Sequence, residues 1–158
     1  MKLVLLLRRN CWLNGLAIKP KRRLLLSNLI VLDSYAILAF LRKEAGHERV
    51  FEILKGAKDG KLQVMMTWVN VGEVAYIVQR SWDKSHVHEI LANLESSKVD
   101  FVDAGEKLSL KAADLKAEYP MAYADAFAAA LTELQDAVLV TGDPEFKPLE
   151  DILAIEWL

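Results

Sequence analysis

Short apolar runs alternate with amphipathic segments along the chain from residue 29 onward. The first run, Leu-Ile-Val-Leu at 29–32, is typical of a strand that is buried on both faces of a sheet. The next segment has apolar residues at spacings of three and four, which predicts a helix from the Asp33-Ser34 cap to about Lys43. The same patterns predict further strands at 62–66, 99–102, 137–141 and 152–157, and further helices at 47–57, 68–80, 83–94, 106–118 and 122–135.

This alternation of strands and helices indicates the fold class. It favours a mostly parallel sheet, because a parallel connection needs a long crossover that is usually a helix. We therefore expect one three-layer α/β domain over residues 29–158, with four to five strands covered by helices on both faces. Trp68 and Trp157 are expected in its core.

The composition agrees with a domain that depends on its hydrophobic core. The chain has 158 residues, 53% of them apolar, and a single cysteine. One cysteine forms neither an internal disulfide nor a thiolate zinc site, which is typical of a protein in a reducing compartment. We expect a cytoplasmic protein.

Charge is distributed unevenly. Residues 1–32 carry seven Lys/Arg and no acid, whereas the rest has 13 basic and 22 acidic side chains and a net charge of −9. We therefore expect residues 1–28 to be a basic extension that is disordered or outside the core. The apolar stretch 24–41 is long enough to suggest a membrane span, but Asp33 at its centre opposes insertion, so no membrane association is expected.

Four acidic residues occupy positions where a parallel sheet places its functional site. Asp33 and Asp143 follow the first and fourth strands, Asp125 begins the helix before the fourth strand, and Glu73 lies two turns into the helix after the second. The three aspartates also suit helix N-termini, so each has a purely structural explanation. Glu73 is harder to explain structurally, because its neighbours four residues away on either side are apolar.

The expected convergence of these residues, called below the four carboxylates, indicates metal chemistry. Four carboxylates at one sheet edge would raise one another's pKa values unless cations neutralised them. Mg²⁺ and Mn²⁺ prefer such oxygen ligands and support phosphodiester hydrolysis. From the residues alone we expect divalent-metal phosphoryl chemistry.

Four segments resemble the PIN-domain ribonucleases, particularly the VapC-type toxins of toxin–antitoxin pairs. The segments are 31–39, 69–74, 123–130 and 139–146, in the order and spacing of that family, within a resemblance that covers about residues 29–157. The resemblance implies catalytic and metal-binding roles for Asp33, Glu73, Asp125 and Asp143, with Thr141, Asn70 and Ser34 as supporting polar groups. It also implies metal-dependent cleavage of RNA, an antitoxin partner and a homodimer.

Two other functions remain open. A non-catalytic interaction module with a PIN-like fold would use the acidic pocket to bind a basic partner. A phosphotransfer domain with Asp33 as nucleophile would need a second Asp two residues later, where this chain has Tyr35.

Overall fold

The computed structural model describes residues 27–82 and 84–158 of the protein. Within these ranges, five strands form one sheet in the order β3-β2-β1-β4-β5, and every neighbouring pair is parallel. The strands are β1 (Leu29–Leu32), β2 (Gln63–Thr67), β3 (Val99–Val102), β4 (Val138–Thr141) and β5 (Ala154–Trp157). The predicted parallel α/β sheet is confirmed.

In the described part of the chain, six α-helices connect and cover these strands. They are α1 (Ser34–Arg42), α2 (His47–Lys58), α3 (Trp68–Ser81), α4 (Lys84–Ser96), α5 (Glu106–Glu118) and α6 (Tyr123–Gln135). The predicted bounds agree within one or two residues, and those of α5 agree at both ends. Asp83, the predicted first residue of one helix, and residues 1–26 of the predicted extension lie outside the described residues.

A short 3₁₀ helix, Pro144–Leu149, follows β4 where the sequence predicted only a turn. Asp143 caps it, and Pro144 suits its first turn because that position needs no backbone N–H donor. The turn buries Phe146 and Leu149 completely. The last strand consequently begins at Ala154, two residues later than predicted.

The sheet separates two hydrophobic cores. Ile30 and Leu32 of β1 belong to the core that contains buried residues of α1, α2, α3 and α4. Val31, between them, belongs to the core built with α5, α6 and the 3₁₀ helix. Alternate side chains of β1 thus serve opposite faces, as the pleat of a strand requires. The predicted three-layer arrangement is confirmed.

Helix α6 is buried around its whole circumference in its middle part. All eight residues from Asp125 to Thr132 are buried, and four of them, at 126 and 128–130, are alanines. The helix contacts α3, α5 and strands β1, β2 and β4. Its alanines allow this close approach, and it brings Asp125 to the sheet.

The expectation that Trp68 and Trp157 are core residues is wrong. Trp68 is 43% exposed and Trp157 is 38% exposed. The Trp68 ring packs against Phe101 of the edge strand β3, with the ring centroids 4.9 Å apart. Trp157 lies on the other edge strand, and its Nε1 donates a hydrogen bond to Glu150. Trp157 lies on an edge strand and Trp68 packs beside one, and because an edge strand lacks a second neighbouring strand, both side chains stay partly exposed.

Within residues 27–82 and 84–158, no helix is both long and apolar enough to cross a membrane.

Candidate metal centre

The order of the strands creates a switch point between β1 and β4. From β1 the chain builds β2 and β3 on one side, whereas β4 and β5 lie on the other. Helices that leave the carboxyl ends of two such strands diverge, which opens a crevice at that edge of the sheet. Asp33 directly follows β1 and Thr141 ends β4, so the chain supplies polar groups to this crevice.

Asp33 is completely buried and serves as the N-cap of α1. Its Oδ1 accepts a hydrogen bond of 2.8 Å from the backbone N–H of Ala36. Its Oδ2 accepts one of 2.5 Å from the Thr141 hydroxyl, which in turn accepts from the backbone N–H of Asp143 at 2.9 Å. Thr141 therefore connects Asp33 to Asp143, the second residue after β4.

The pKa of Asp33 is raised from its usual 3.8 to about 7, and burial is the largest cause. The hydrogen bonds from Thr141 and Ala36 lower this pKa, and the charges of Asp143 and Glu73 raise it. Asp33 is the helix N-cap that the sequence predicted, and in addition its carboxyl group has a raised pKa that a cap role alone does not explain. A carboxylate with this environment is held close to its point of ionisation at neutral pH.

Asp125 is buried near the start of α6, only 7% exposed, and accepts no hydrogen bond from any described residue. Its pKa is raised from 3.8 to about 8, first by burial and then by the charges of four neighbouring acids, Asp143, Asp33, Glu73 and Glu145. Buried polar groups in proteins nearly always have a partner. The ionised form of Asp125 is therefore unfavourable unless a positive charge or a hydrogen-bond donor accompanies it.

The other two carboxylates are half-buried. Glu73 on α3 has no hydrogen bond or ion pair with any described residue, and its apolar neighbours are also half-buried. Asp143 accepts a hydrogen bond of 2.9 Å from the backbone N–H of Glu145 and caps the 3₁₀ helix. Since both acids raise the pKa values of Asp33 and Asp125, the four carboxylates share one electrostatic environment, as the sequence predicted.

Asn70 connects the elements that carry these acids. Its side chain is fully buried, and its Nδ2 donates to the Ser34 hydroxyl at 3.3 Å and to the Ala124 carbonyl at 3.1 Å. Its Oδ1 accepts from the Thr67 hydroxyl at 2.5 Å, and the Ser34 hydroxyl donates to its backbone carbonyl. Asn70 therefore fixes the starts of α1, α3 and α6, including the residues next to Asp33 and Asp125.

Glu145 is an acidic residue that the sequence analysis did not select. Its Oε2 accepts a hydrogen bond from the backbone N–H of Ala122, the N-cap residue of α6. This contact ties the loop after β4 to the helix that carries Asp125, and the Glu145 charge raises the Asp125 pKa. Its position two residues after Asp143 is the only sequence signal for this role.

The donor set suits a hard divalent cation that keeps part of its water shell. All four carboxylates supply oxygen, and Asp125 has unused acceptor capacity in a buried place. Across the described ranges, however, no three His, Cys, Asp or Glu side chains have an arrangement that could hold a metal ion. Mg²⁺ commonly binds only one or two carboxylates together with water and substrate phosphate, so this finding does not conflict with a site built from two of the four.

Comparison with known proteins identifies the class. The family model named PIN domain matches residues 30–151. No curated protein is similar enough to count as a match. Among solved structures, VapBC2 from Rickettsia felis, bound to a promoter DNA fragment, matches with a TM-score of 0.63 and 20% identity over 82% of this chain and 98% of that chain.

Two further solved structures share the fold at similarly low sequence identity. VapC20 of Mycobacterium tuberculosis, described as a sarcin-ricin loop cleaving toxin, has a TM-score of 0.62 and 18% identity over 78% of this chain and 96% of that one. VapBC-1 from nontypeable Haemophilus influenzae has a TM-score of 0.60 and 20% identity over 82% and 97%. These likenesses establish the fold. Because the family model covers most of the chain, the protein belongs to the PIN domain family.

Proposed function

We propose that the protein is a divalent-metal-dependent endoribonuclease, the toxin of a toxin–antitoxin pair, that hydrolyses RNA phosphodiesters. The observation that carries the proposal is the buried Asp125, to which no described residue donates a hydrogen bond, beside the buried Asp33 at the switch point of the sheet. The acidic crevice has the composition that binds cations and, through them, phosphate. Membership in the PIN domain family and the similarity to the VapC20 toxin support nuclease chemistry.

Each residue has a defined part in this proposal. Asp33, Glu73, Asp125 and Asp143 hold Mg²⁺ or Mn²⁺ and are the catalytic residues. Thr141 orients Asp33 through its hydroxyl, and the Asn70–Ser34 contacts fix Asp33 relative to Asp125. The chemistry that a bound cation would supply is activation of water and stabilisation of the negative charge on the phosphate. The protein contributes a preorganised crevice, since the polar groups around it are tied to the ends of packed elements.

The partners follow from the family. Several of the similar structures are VapBC toxin–antitoxin complexes, so we propose that a cognate antitoxin holds this protein inactive and that the protein forms a homodimer. The PIN match begins at residue 30, which supports a domain at 29–158 preceded by a basic segment at 1–28. We place the protein in the cytoplasm, as its single cysteine suggests.

The test is cleavage of a mixed pool of tRNA and rRNA by purified full-length protein with Mg²⁺ or Mn²⁺. We expect cutting that stops with EDTA and is lost in the Asp33→Asn/Asp125→Asn double variant. The matched control is Asp114→Asn/Asp151→Asn, which changes two exposed aspartates and should cut like the wild type.

Folding of each variant is checked by circular dichroism. Folded wild-type protein, free of antitoxin, that cuts no RNA with either metal would contradict the proposal. In that case the acidic crevice would be better explained as a binding site for a basic partner, which a pull-down comparing the wild type with the Asp33→Asn/Asp125→Asn variant would test.

A further inference from the structure

An apolar groove of about 500 Å³ lies between helices α1, α2 and α4, apart from the candidate metal centre. Its apolar lining comes from all three helices, and none of the four carboxylates lines it. This surface is called below the α1–α2–α4 groove. Its apolar residues include Ile37, Phe40, Leu41, Phe51, Leu54 and Ile90.

The groove exposes apolar surface to solvent. Phe51 is 56% exposed, and Phe40 is only partly buried. The serines at one end of the groove are satisfied within their own helix, since the Ser96 and Ser97 hydroxyls each donate a 2.9 Å hydrogen bond to the Asn93 carbonyl. A groove with an apolar lining and satisfied polar groups suits an apolar occupant.

Two lysines restrict the charge of that occupant. Lys55 and Lys58 of α2 line the groove, and neither forms an ion pair with another residue in the described ranges. A Lys or Arg placed in the groove would meet this positive charge at short range and be repelled. The part of the occupant that enters the groove is therefore free of basic residues.

The chain itself carries a segment of this composition. Within residues 1–26, the longest stretch without a charged residue is 10–18, and six of its nine residues are apolar. This stretch, called below the neutral segment, is bounded by Arg9 and Lys19. The basic residues on either side would remain outside the groove, where the acidic body of net charge −9 attracts them.

The described chain begins next to one end of the groove. The backbone N–H of Gln63, the first residue of β2, donates a 2.8 Å hydrogen bond to the Asn28 carbonyl. Gln63 is only five residues after Lys58, which ends α2. The connection folds back tightly, because the Gly56 carbonyl accepts from the N–H groups of residues 61 and 62. The chain therefore enters β1 close to the Lys58 end of the groove.

The neutral segment can reach the whole groove. Residues 19–26 connect it to the described chain, and eight residues span up to about 26 Å when extended. The groove extends along α2 from Phe51 to Lys58, which is about 10 Å of helix axis. A tether of this length gives the segment a high effective concentration at the groove, which a separate partner lacks.

We propose that the neutral segment, residues 10–18, docks in the α1–α2–α4 groove of its own chain. Its apolar side chains then cover Phe51 and Phe40. Because α1 lines the groove, the docked segment contacts the helix that Asp33 caps. Any other apolar partner of the groove has to displace the segment first. The inference does not depend on nuclease activity.

The experiment uses Cys11, which lies in the neutral segment and is the only cysteine of the chain. A nitroxide spin label on Cys11 of the full-length ¹⁵N-labelled protein broadens the amide signals of nearby residues. We expect the signals of Phe51, Leu54 and Asn93 to lose most of their intensity and to recover when the nitroxide is reduced. The signal of Leu110, an exposed residue on α5, should keep its intensity.

Substitutions test both sides of the contact. Leu16→Asp in the neutral segment should restore the signals of the groove, whereas Leu5→Asp, the same change in the apolar stretch 3–7, should leave them broadened. Phe51→Asp should restore the signals of Leu54 and Asn93. Leu110→Asp is its control, because it places the same charge on an exposed apolar position outside the groove.

A second measurement needs no spin label. With oxidised glutathione, Asn93→Cys should form a disulfide with Cys11 within one chain, detected by peptide mapping of the monomer. Ala113→Cys, at an exposed position of α5, should not. Such a disulfide supports docking even where the nitroxide itself keeps the segment out of the groove.

Three results would overturn the proposal. The first is full signal intensity in the groove together with no disulfide in Asn93→Cys, which would leave the groove to a separate partner. The second is broadening of unlabelled ¹⁵N protein by added spin-labelled protein without ¹⁵N, which would assign the groove to the segment of a second copy. The third is equal broadening at Leu110, or restoration by Leu5→Asp and not by Leu16→Asp.

Discussion

The Thr141 hydroxyl donates a 2.5 Å hydrogen bond to Asp33 across 108 positions of sequence. This contact joins the ends of two adjacent parallel strands at the point where the sheet changes direction. It also favours the ionised form of Asp33 within a buried environment that opposes ionisation. Thr141 is thus a positioning residue whose removal has a specific electrostatic consequence.

Replacing Thr141 with Val removes the hydroxyl and keeps the shape of the side chain. Loss of the hydrogen bond should raise the Asp33 pKa above about 7 and leave less of the carboxylate ionised at neutral pH. We expect kcat/KM for RNA at pH 7 to fall about tenfold or more, with the pH profile displaced to higher pH. Thr141→Ser, which retains the hydroxyl, should keep the wild-type profile, and an unchanged profile in Thr141→Val would contradict this role.

The raised pKa values of Asp33 and Asp125 predict how stability depends on pH without metal. Between the unfolded value of 3.8 and the folded values of about 7 and 8, the folded protein binds more protons than the unfolded chain. Stability therefore falls as pH rises through this window. Differential scanning fluorimetry in EDTA should give a lower Tm at pH 8.5 than at pH 6.

Added Mn²⁺ should reverse this trend, because a cation that binds the ionised carboxylates stabilises the folded state. The increase in Tm with Mn²⁺ should be larger at pH 8 than at pH 6, where protons compete for the same oxygens. The Asp33→Asn/Asp125→Asn variant should lose most of both effects. An EDTA-treated wild type whose Tm rises steadily from pH 6 to pH 8.5 would contradict the assignment.

Asn70→Ala tests the contacts that hold the crevice together. The change leaves the half-buried Ala124 carbonyl without its donor and removes one hydrogen bond each from the buried Ser34 and Thr67 hydroxyls, which keep their bonds to the backbone of residue 70. We expect a loss of about 2–3 kcal/mol in the free energy of unfolding, measured by urea denaturation. Asn93→Ala on α4, an exposed position, should change it by less than about 0.5 kcal/mol. Equal values for the two variants would show that the Asn70 contacts do not stabilise the fold.

Ala129→Leu tests the packing of α6. Ala129 is fully buried on a helix that contacts the sheet and two other helices, so a larger side chain has no space. Overpacking should cost about 1–3 kcal/mol in the same urea experiment. Ala113→Leu on the exposed side of α5 makes the same chemical change and should be nearly neutral. A stable Ala129→Leu variant would show that the core around α6 can expand.

Local patterns predicted most of the fold. Apolar runs bounded by polar residues identify strands buried on both faces, and the position of Asp33 directly after such a run predicts its place at the sheet edge. Pro120 disfavours the helical conformation for the residue before it, Tyr119, so α5 ends at Glu118. Convergence of the four carboxylates follows from parallel topology, since the carboxyl ends of parallel strands meet at one edge.

Features that depend on tertiary distances could not be predicted from the sequence. Whether Asp125 has a hydrogen-bond donor depends on which groups surround it after folding, and the same is true of the contact between Glu145 and Ala122. The exposure of Trp157 on the edge strand β5, and of Trp68 at the start of α3 beside the edge strand β3, depends on the order of the strands, which hydropathy alone does not reveal. Gly142 looks like an ordinary turn residue until the ring of Tyr35 is placed against it.

The most direct test of the central claim is the fate of the water oxygen during RNA cleavage. Wild-type protein with Mn²⁺ is incubated with RNA in H₂¹⁸O, and the cleaved ends are analysed by mass spectrometry. Attack by water predicts one ¹⁸O atom in each new terminal phosphate and no cyclic phosphate, with no product in EDTA or with the Asp33→Asn/Asp125→Asn variant. Products that end in 2′,3′-cyclic phosphate without ¹⁸O, or that persist in EDTA, would contradict metal-dependent hydrolysis at these carboxylates.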